Sequence, residues 1–170
     1  GDEAVRRLLP RHLTLRVSWV FGIHGHNFVK TMLQLARERE EVRVVSDQFG
    51  CPTYAGDIAD TLLNLVGRST EIDANDAWGT YHYCGTPVTT WHNFVSAIIE
   101  QAQTFEALRV QTITAIATAD YPTPAARPAN SVLDSSRLSF CFGILPRPWR
   151  DGLHALLVAL HADGSKRPAG

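Results

Sequence analysis

The residues best suited to chemistry in this sequence are one cation, one indole, a few carboxamides and a stiff polar turn. Arg127 stands between Pro124 and Pro128. A guanidinium meets phosphate oxygens two at a time and never loses its charge, and the flanking prolines restrict the loop that carries it. Residues 44–53 read Val-Val-Ser-Asp-Gln-Phe-Gly-Cys-Pro-Thr. This stretch begins as the end of an apolar strand, turns polar, and breaks at Gly50 and Pro52. Pro52 fixes its own φ and drives Cys51 towards extended geometry. A helix is expected from Tyr54, with Ile58, Leu62, Leu65 and Val66 on one face. A strand that ends in a polar turn and feeds a helix is where open α/β sheets place ligands. Thr53 is expected to cap that helix, whose first amides would favour an anion. Asp47, Gln48 and Thr53 can equally be spent on the turn's own amides. His24 and His26 are close, but no third ligand stands at a recognisable spacing, and zinc needs three or four.

The elements that must position these residues belong to a chain of 170 residues with a formal charge of −1. That length suits one domain with a real core. The balanced charge argues against a nucleic-acid or membrane-surface protein, which would carry a basic excess. No apolar run reaches transmembrane length, and no signal peptide opens the chain. The three cysteines, Cys51, Cys84 and Cys141, form no CxxC pair. They fit a reducing, cytoplasmic compartment better than a disulfide framework.

Strands and helices alternate along the chain, which argues an α/β fold of mixed strands and helices. Residues 1–9 read as the tail of a helix ended by Pro10, and the chain reads as the back part of a larger protein. Residues 13–21 alternate cleanly and read as one strand ending at Gly22. A helix follows with Phe28, Met32, Leu35 and Ala36 as its buried stripe, then a wet end at 38–41. Residues 42–46 form a strand, 67–75 a polar loop, and 81–84 a short strand. Thr89 or Thr90 caps a helix that turns Trp91, Phe94, Val95, Ile98, Ile99 and Ala102 inward. Residues 110–117 read as a strand and 121–131 as a proline-fixed loop. Asp134 or Ser135 starts a short helix, and Trp149, Leu153, Leu156, Leu157 and Leu160 define the last one. Residues 163–170 are a polar tail, expected to be disordered.

Several motifs recur in order: Ser18-Trp19-Val20-Phe21-Gly22, Asn27-Phe28-Val29, Asp47-Gln48-Phe49-Gly50-Cys51-Pro52-Thr53 and Thr89-Thr90-Trp91-His92. Pro122-Thr123-Pro124 and Arg127-Pro128-Ala129-Asn130-Ser131 complete the set. Together they resemble the dTDP-4-dehydrorhamnose reductase family of the extended short-chain dehydrogenase/reductase superfamily, over nearly all of residues 1 to about 160. The resemblance implies the C-terminal, sugar-nucleotide-binding part of a Rossmann-like fold, here residues 1–162. It implies hydride transfer from NADPH or NADH to the C4 keto group of a dTDP-6-deoxyhexose, with a tyrosine protonating the developing alkoxide. The family's Gly-rich dinucleotide turn and Tyr-x-x-x-Lys pair match nothing in the 170 residues. By the same alignment the family lysine would fall about three residues before Gly1. The chain alone is therefore expected to be inactive and to bind dinucleotide poorly.

The resemblance also assigns roles. Trp19 matches a tryptophan at the family's sugar pocket, where an indole gives a flat apolar wall and one N–H donor. Asn27 matches an asparagine that related nucleotide-sugar enzymes place on the diphosphate, and Arg127 a diphosphate-binding arginine. Gln48, Thr53 and Asn130 are further substrate-side candidates. Some relatives pair around Mg with a glutamate after the Pro-Thr motif. The matching position here is Gly56, beside Asp57, so that device does not carry over. An open sheet edge leaves a homodimer as a candidate state. A sugar-nucleotide epimerase or dehydratase of the same superfamily, or a non-catalytic subunit built on it, are the competing readings.

Overall fold

A computed structural model describes residues 2–69, 77–121 and 127–164. Helix α1 (Asp2–Leu8) leads into β1 (Leu13–Val17) and β2 (Val20–Phe21), and α2 (Phe28–Glu38) into β3 (Glu41–Val45). Two short strands, β4 (Phe49–Gly50) and β5 (Thr53–Tyr54), precede α3 (Ala55–Ser69). Then come β6 (Gly79–Tyr83), β7 (Thr89–Thr90), α4 (Trp91–Ala102), β8 (Thr112–Ile116), α5 (Ser136–Phe142) and α6 (Trp149–Gly164). Among the described residues the strands join in pairs. β1 runs parallel to β6, from Leu13 opposite Gly79 to Val17 opposite Tyr83. β3 runs parallel to β8, from Glu41 opposite Thr112 to Val45 opposite Ile116. β2 and β5 are parallel, and β4 and β7 antiparallel. Parallel pairs with helical crossovers make this an α/β fold.

Helix α4 holds the centre. Thr90 Oγ1 accepts from Asn93 N at 3.2 Å, the expected cap, and the helix buries Phe94, Val95, Ala97, Ile98, Ile99 and Ala102. Phe94 meets Phe21 at 5.6 Å and Trp149 edge-on at 5.3 Å between ring centroids. From α6, Leu153, Leu156 and Leu157 close this cluster with no exposed surface. Val42 and Val44 of β3 pack with Val95 and Ile99 on another side of α4. Each such side chain contributes about 1.5–3 kcal/mol of burial. A smaller cluster joins Leu65 of α3, Tyr81 and Tyr83 of β6, and Leu138 and Phe142 of α5. No described helix is long and apolar enough to cross a membrane.

Five expectations change. The single strand over 13–21 is broken at Ser18 and Trp19, because Trp19 takes φ 47°. A non-glycine residue pays for that conformation, and the kink separates β1 from β2. In α2 the buried residues are Val29, Leu33 and Ala36, while Phe28, Met32 and Leu35 are only partly buried. The stripe is turned by about one residue, because the helix also serves a cleft wall. Along the helix after the turn, Leu65 is buried but Leu62 and Val66 are 45% and 67% exposed, so that face is only partly covered. This helix begins at Ala55 and runs to Ser69, into the expected 67–75 loop. Thr53 lies in β5 and does not cap it. Residues 122–126, and with them Pro122-Thr123-Pro124, lie outside the described residues, as do 165–170 of the expected tail.

Candidate functional site

The kink at Trp19 decides where its indole goes. It lies face to face with Trp91, ring centroids 3.5 Å apart and planes 9° from parallel. Phe28 leans on Trp91 at 4.4 Å. Trp91 follows the Thr90 cap directly and Phe28 follows the Asn27 cap directly, so two helix starts bring these rings together. Gly50 completes the support: a Cβ there would sit 2.3 Å from Trp19 Cε2 and 2.7 Å from its Nε1. Only a residue without a side chain lets β4 approach the indole this closely.

Against this aromatic wall opens a cleft of about 740 Å³, lined also by Met32, Gln48, Tyr121, Arg43 and Arg127. Arg43 comes from the solvent-facing side of β3, where burial alternates with Val42 and Val44. Arg127 enters on the segment that docks beside β4. That segment is fixed by Phe49 N donating to Ala129 O and Ser131 N donating to Phe49 O, both at 2.8 Å. Among the described residues neither guanidinium has a hydrogen-bond or ion-pair partner, and no carboxylate lines the cleft. Two guanidiniums beside an apolar wall suit a ligand that is anionic at one end and flat or deoxygenated at the other. Ser18 Oγ, also in the lining, is buried without a partner.

The turn before β4 is held from outside. Both carboxylate oxygens of Asp47 accept from Thr118 N at 3.0 Å, and Oδ1 also accepts from Thr118 Oγ1 at 2.6 Å. The Thr118 hydroxyl, then its amide, hold the Asp47 carboxyl below its ordinary pKa. Gln48 Nε2 donates to the same Thr118 Oγ1 at 3.1 Å, with Gln48 buried at the cleft floor.

Of the six sequence candidates, Trp19, Gln48 and Arg127 share this cleft. The other three do not line it. Asn27 spends its side chain on α2: Oδ1 accepts from Lys30 N at 3.3 Å and Nδ2 donates to Gly22 O at 2.7 Å. Thr53 is fully buried; its hydroxyl donates to Cys51 O at 3.1 Å and accepts from Gly85 N at 3.3 Å. Asn130 closes a local turn, Oδ1 accepting from Val132 N at 2.9 Å, and faces a second cavity. Sequence reasoning missed Arg43, Ser18 and the cleft role of Trp91, which it had counted as core. For Arg43 the signal was available, since strand alternation placed it opposite the buried valines.

Among the described residues no cluster of histidine, cysteine, aspartate and glutamate could hold a metal ion. Asp57, beside Gly56, is paired with Arg147 at 3.0 Å, and Asp60 with the same guanidinium at 2.7 Å.

Comparison with known proteins completes the description. The family model described as the RmlD substrate binding domain matches residues 1–162. A dTDP-4-dehydrorhamnose reductase of Aggregatibacter actinomycetemcomitans is 44% identical over 154 residues, covering 90% of this chain and 52% of its own. The solved dTDP-4-dehydrorhamnose reductase of Clostridium acetobutylicum superposes with a TM-score of 0.83 at 31% identity, covering 94% of this chain and 52% of that one. That of Bacillus anthracis, in complex with NADP, gives 0.81 at 32%, with the same coverage. The chain spans about half the length of the relatives it matches.

Proposed function

Because the chain belongs to the family of the RmlD substrate binding domain, we propose that it is the sugar-nucleotide grip of a dTDP-4-dehydrorhamnose reductase. In this reading residues 1–162 form one substrate-binding domain. The parent protein reduces dTDP-4-dehydro-L-rhamnose to dTDP-L-rhamnose for cell-surface polysaccharide, in the cytoplasm and without a nucleic-acid or membrane partner. The observation that carries the reading is the pairing, in one cleft, of the Trp19–Trp91 stack with the guanidiniums of Arg43 and Arg127, neither of which has a partner among the described residues.

The division of labour follows from the residues present. A dinucleotide needs a glycine turn at a helix start, which this sequence lacks, so NADPH or NADH is held by the rest of the parent and supplies the hydride there. This chain binds and orients. Arg127 takes the diphosphate bidentately, the indole wall excludes water beside the deoxysugar, and Gln48 stiffens the floor. Fixing the sugar so that its C4 carbonyl faces the reductant is what such a grip contributes to rate. Asn27 acts indirectly, by fixing the start of α2 and hence Phe28.

The test uses the intact parent. NADPH oxidation is expected with dTDP-4-dehydrorhamnose. Arg127→Ala should weaken dTDP-sugar binding by about tenfold or more, since a hydrogen bond to a charged group is worth about 1.5–3 kcal/mol. An unchanged dissociation constant would remove Arg127 from the site. Epimerisation without net NADPH consumption would replace the reductase reading by a related one.

A further inference from the structure

On the other side of the 48–53 segment lies a second cavity, of about 590 Å³, lined by Cys51, Cys84, Asn130, Leu133 and Ser135 among others. Both cysteines are free thiols and almost fully buried, 3% and 4% exposed. They come from different parts of the chain, yet the backbones that carry them touch. A Cβ on Gly85 would lie 2.2 Å from Pro52 O, and Gly85 N donates to Thr53 Oγ1 at 3.3 Å. The residue after one cysteine is thus packed on the residue after the other. Both thiols line this one cavity and each shifts the other's pKa, and Cys84 Sγ donates to Leu133 O at 3.3 Å. Ser135 Oγ, buried without a hydrogen-bond partner, lines the same cavity as Cys84. Exposed Val88 and Leu145 line the same cavity, which gives small solutes a way in.

We propose that Cys51 and Cys84 form a peroxide-oxidisable dithiol that closes into a disulfide behind the binding cleft. This assignment does not depend on the proposed function.

The step balances with a peroxide as oxidant. The Cys84 sulfur attacks the O–O bond; an S–O bond forms, the O–O bond breaks, and one water leaves when the oxidant is hydrogen peroxide. The Cys51 sulfur then attacks Cys84; the S–S bond forms, the S–O bond breaks, and the departing hydroxide takes the Cys51 proton as a second water. Two thiols and one peroxide become one disulfide and two waters, the sulfurs giving two electrons to the peroxide. Cys84 is the first nucleophile because the neighbouring Cys51 thiol holds it below its ordinary pKa, while Cys51 itself is pushed up by Cys84 and by burial. The Leu133 carbonyl opposes this, since a carbonyl can only accept.

The consequence reaches the cleft. Cys51 follows Gly50, whose bare Cα supports the Trp19 indole, so drawing Cys51 onto Cys84 shifts the floor of the aromatic wall.

The test is to treat the intact parent with hydrogen peroxide, block the remaining thiols with an alkylating agent, and map its peptides by mass spectrometry. A Cys51–Cys84 linked peptide that disappears on reduction is expected, with exposed Cys141 still alkylated. Cys51→Ser should leave a sulfenic acid at Cys84 that dimedone captures, whereas Cys84→Ser should leave no such adduct at Cys51. Separate alkylation of Cys51 and Cys84 after peroxide, or a link from either to Cys141, overturns the proposal. The wild-type peptide map decides even where a variant fails to fold.

Discussion

The two sides of the segment from Gln48 to Thr53 do opposite things with polarity. On the cleft side, two guanidiniums and the Ser18 hydroxyl have no partner among the described residues. On the thiol side most polar groups are spent locally. Asn130 holds Val132, Asp134 accepts from Ser136 N at 2.8 Å, and Cys84 donates to Leu133. An unpaired charge costs stability unless something binds it. A cavity whose cations have no partner among the described residues suits an anionic ligand, and one whose polar groups are mostly bonded suits packing or chemistry between its own atoms.

Both sides depend on a glycine, and the two glycines separate the roles. Gly85 is pressed on a backbone carbonyl, with its added Cβ 2.2 Å from Pro52 O and 3.1 Å from Trp149 Cβ. A carbonyl in the middle of a packed segment cannot step aside. Gly85→Ala should therefore cost about 3 kcal/mol, near the top of the range for overpacking, read as a lower denaturation midpoint. The fraction that stays folded should bind dTDP-sugar normally. Gly50 is pressed on a side chain, the Trp19 indole. Gly50→Ala should cost about 2 kcal/mol, because the ring can move only by leaving its stack on Trp91. Here the sugar-nucleotide dissociation constant and the near-ultraviolet tryptophan signal should both change. If the two alanine variants affected binding equally, the segment would not divide the molecule into a binding side and a structural side.

How much of this was legible beforehand follows the same division. The inward residues of α4 and the leucines of α6 were readable because each helix buries one broad face at helical spacing. The α2 stripe was misjudged by about a residue because Phe28 and Met32 satisfy two neighbours, the core and the cleft. Periodicity has no way to distinguish those. Alternation carries no sign of φ and so reads Trp19 into an unbroken strand; its φ of 47° brings the indole against Trp91 and Gly50, far apart in sequence. Arg127 and Gln48, expected from motif and chemistry, both line the cleft. Asn27, Thr53 and Asn130 were offered on the same grounds, yet each bonds a backbone group within the fold. A short polar side chain beside a turn meets its own backbone more often than a ligand.

Acid gives the smallest and sharpest contrast between the two sides, because each holds one carboxylate with a lowered pKa. Asp47 is lowered first by the Thr118 hydroxyl, Asp134 first by the Ser136 amide. A carboxyl whose folded pKa is depressed adds stability above its ordinary value, about 3.9 for aspartate. That stability is lost as pH falls through the lowered value. Both groups are solvent-exposed, so the loss is local rather than global. Its reach differs. Asp47 joins residues 71 apart in sequence, tying the turn that carries Gln48 to the end of β8, whereas Asp134 only closes the start of α5 two residues on. Below pH 4, hydrogen exchange at the Thr118 amide should speed up together with a weakening of dTDP-sugar binding. Asp47→Asn should flatten both profiles, while Asp134→Asn leaves the binding profile unchanged. An acid response of binding that survives Asp47→Asn would show that the cleft floor is not held through Thr118.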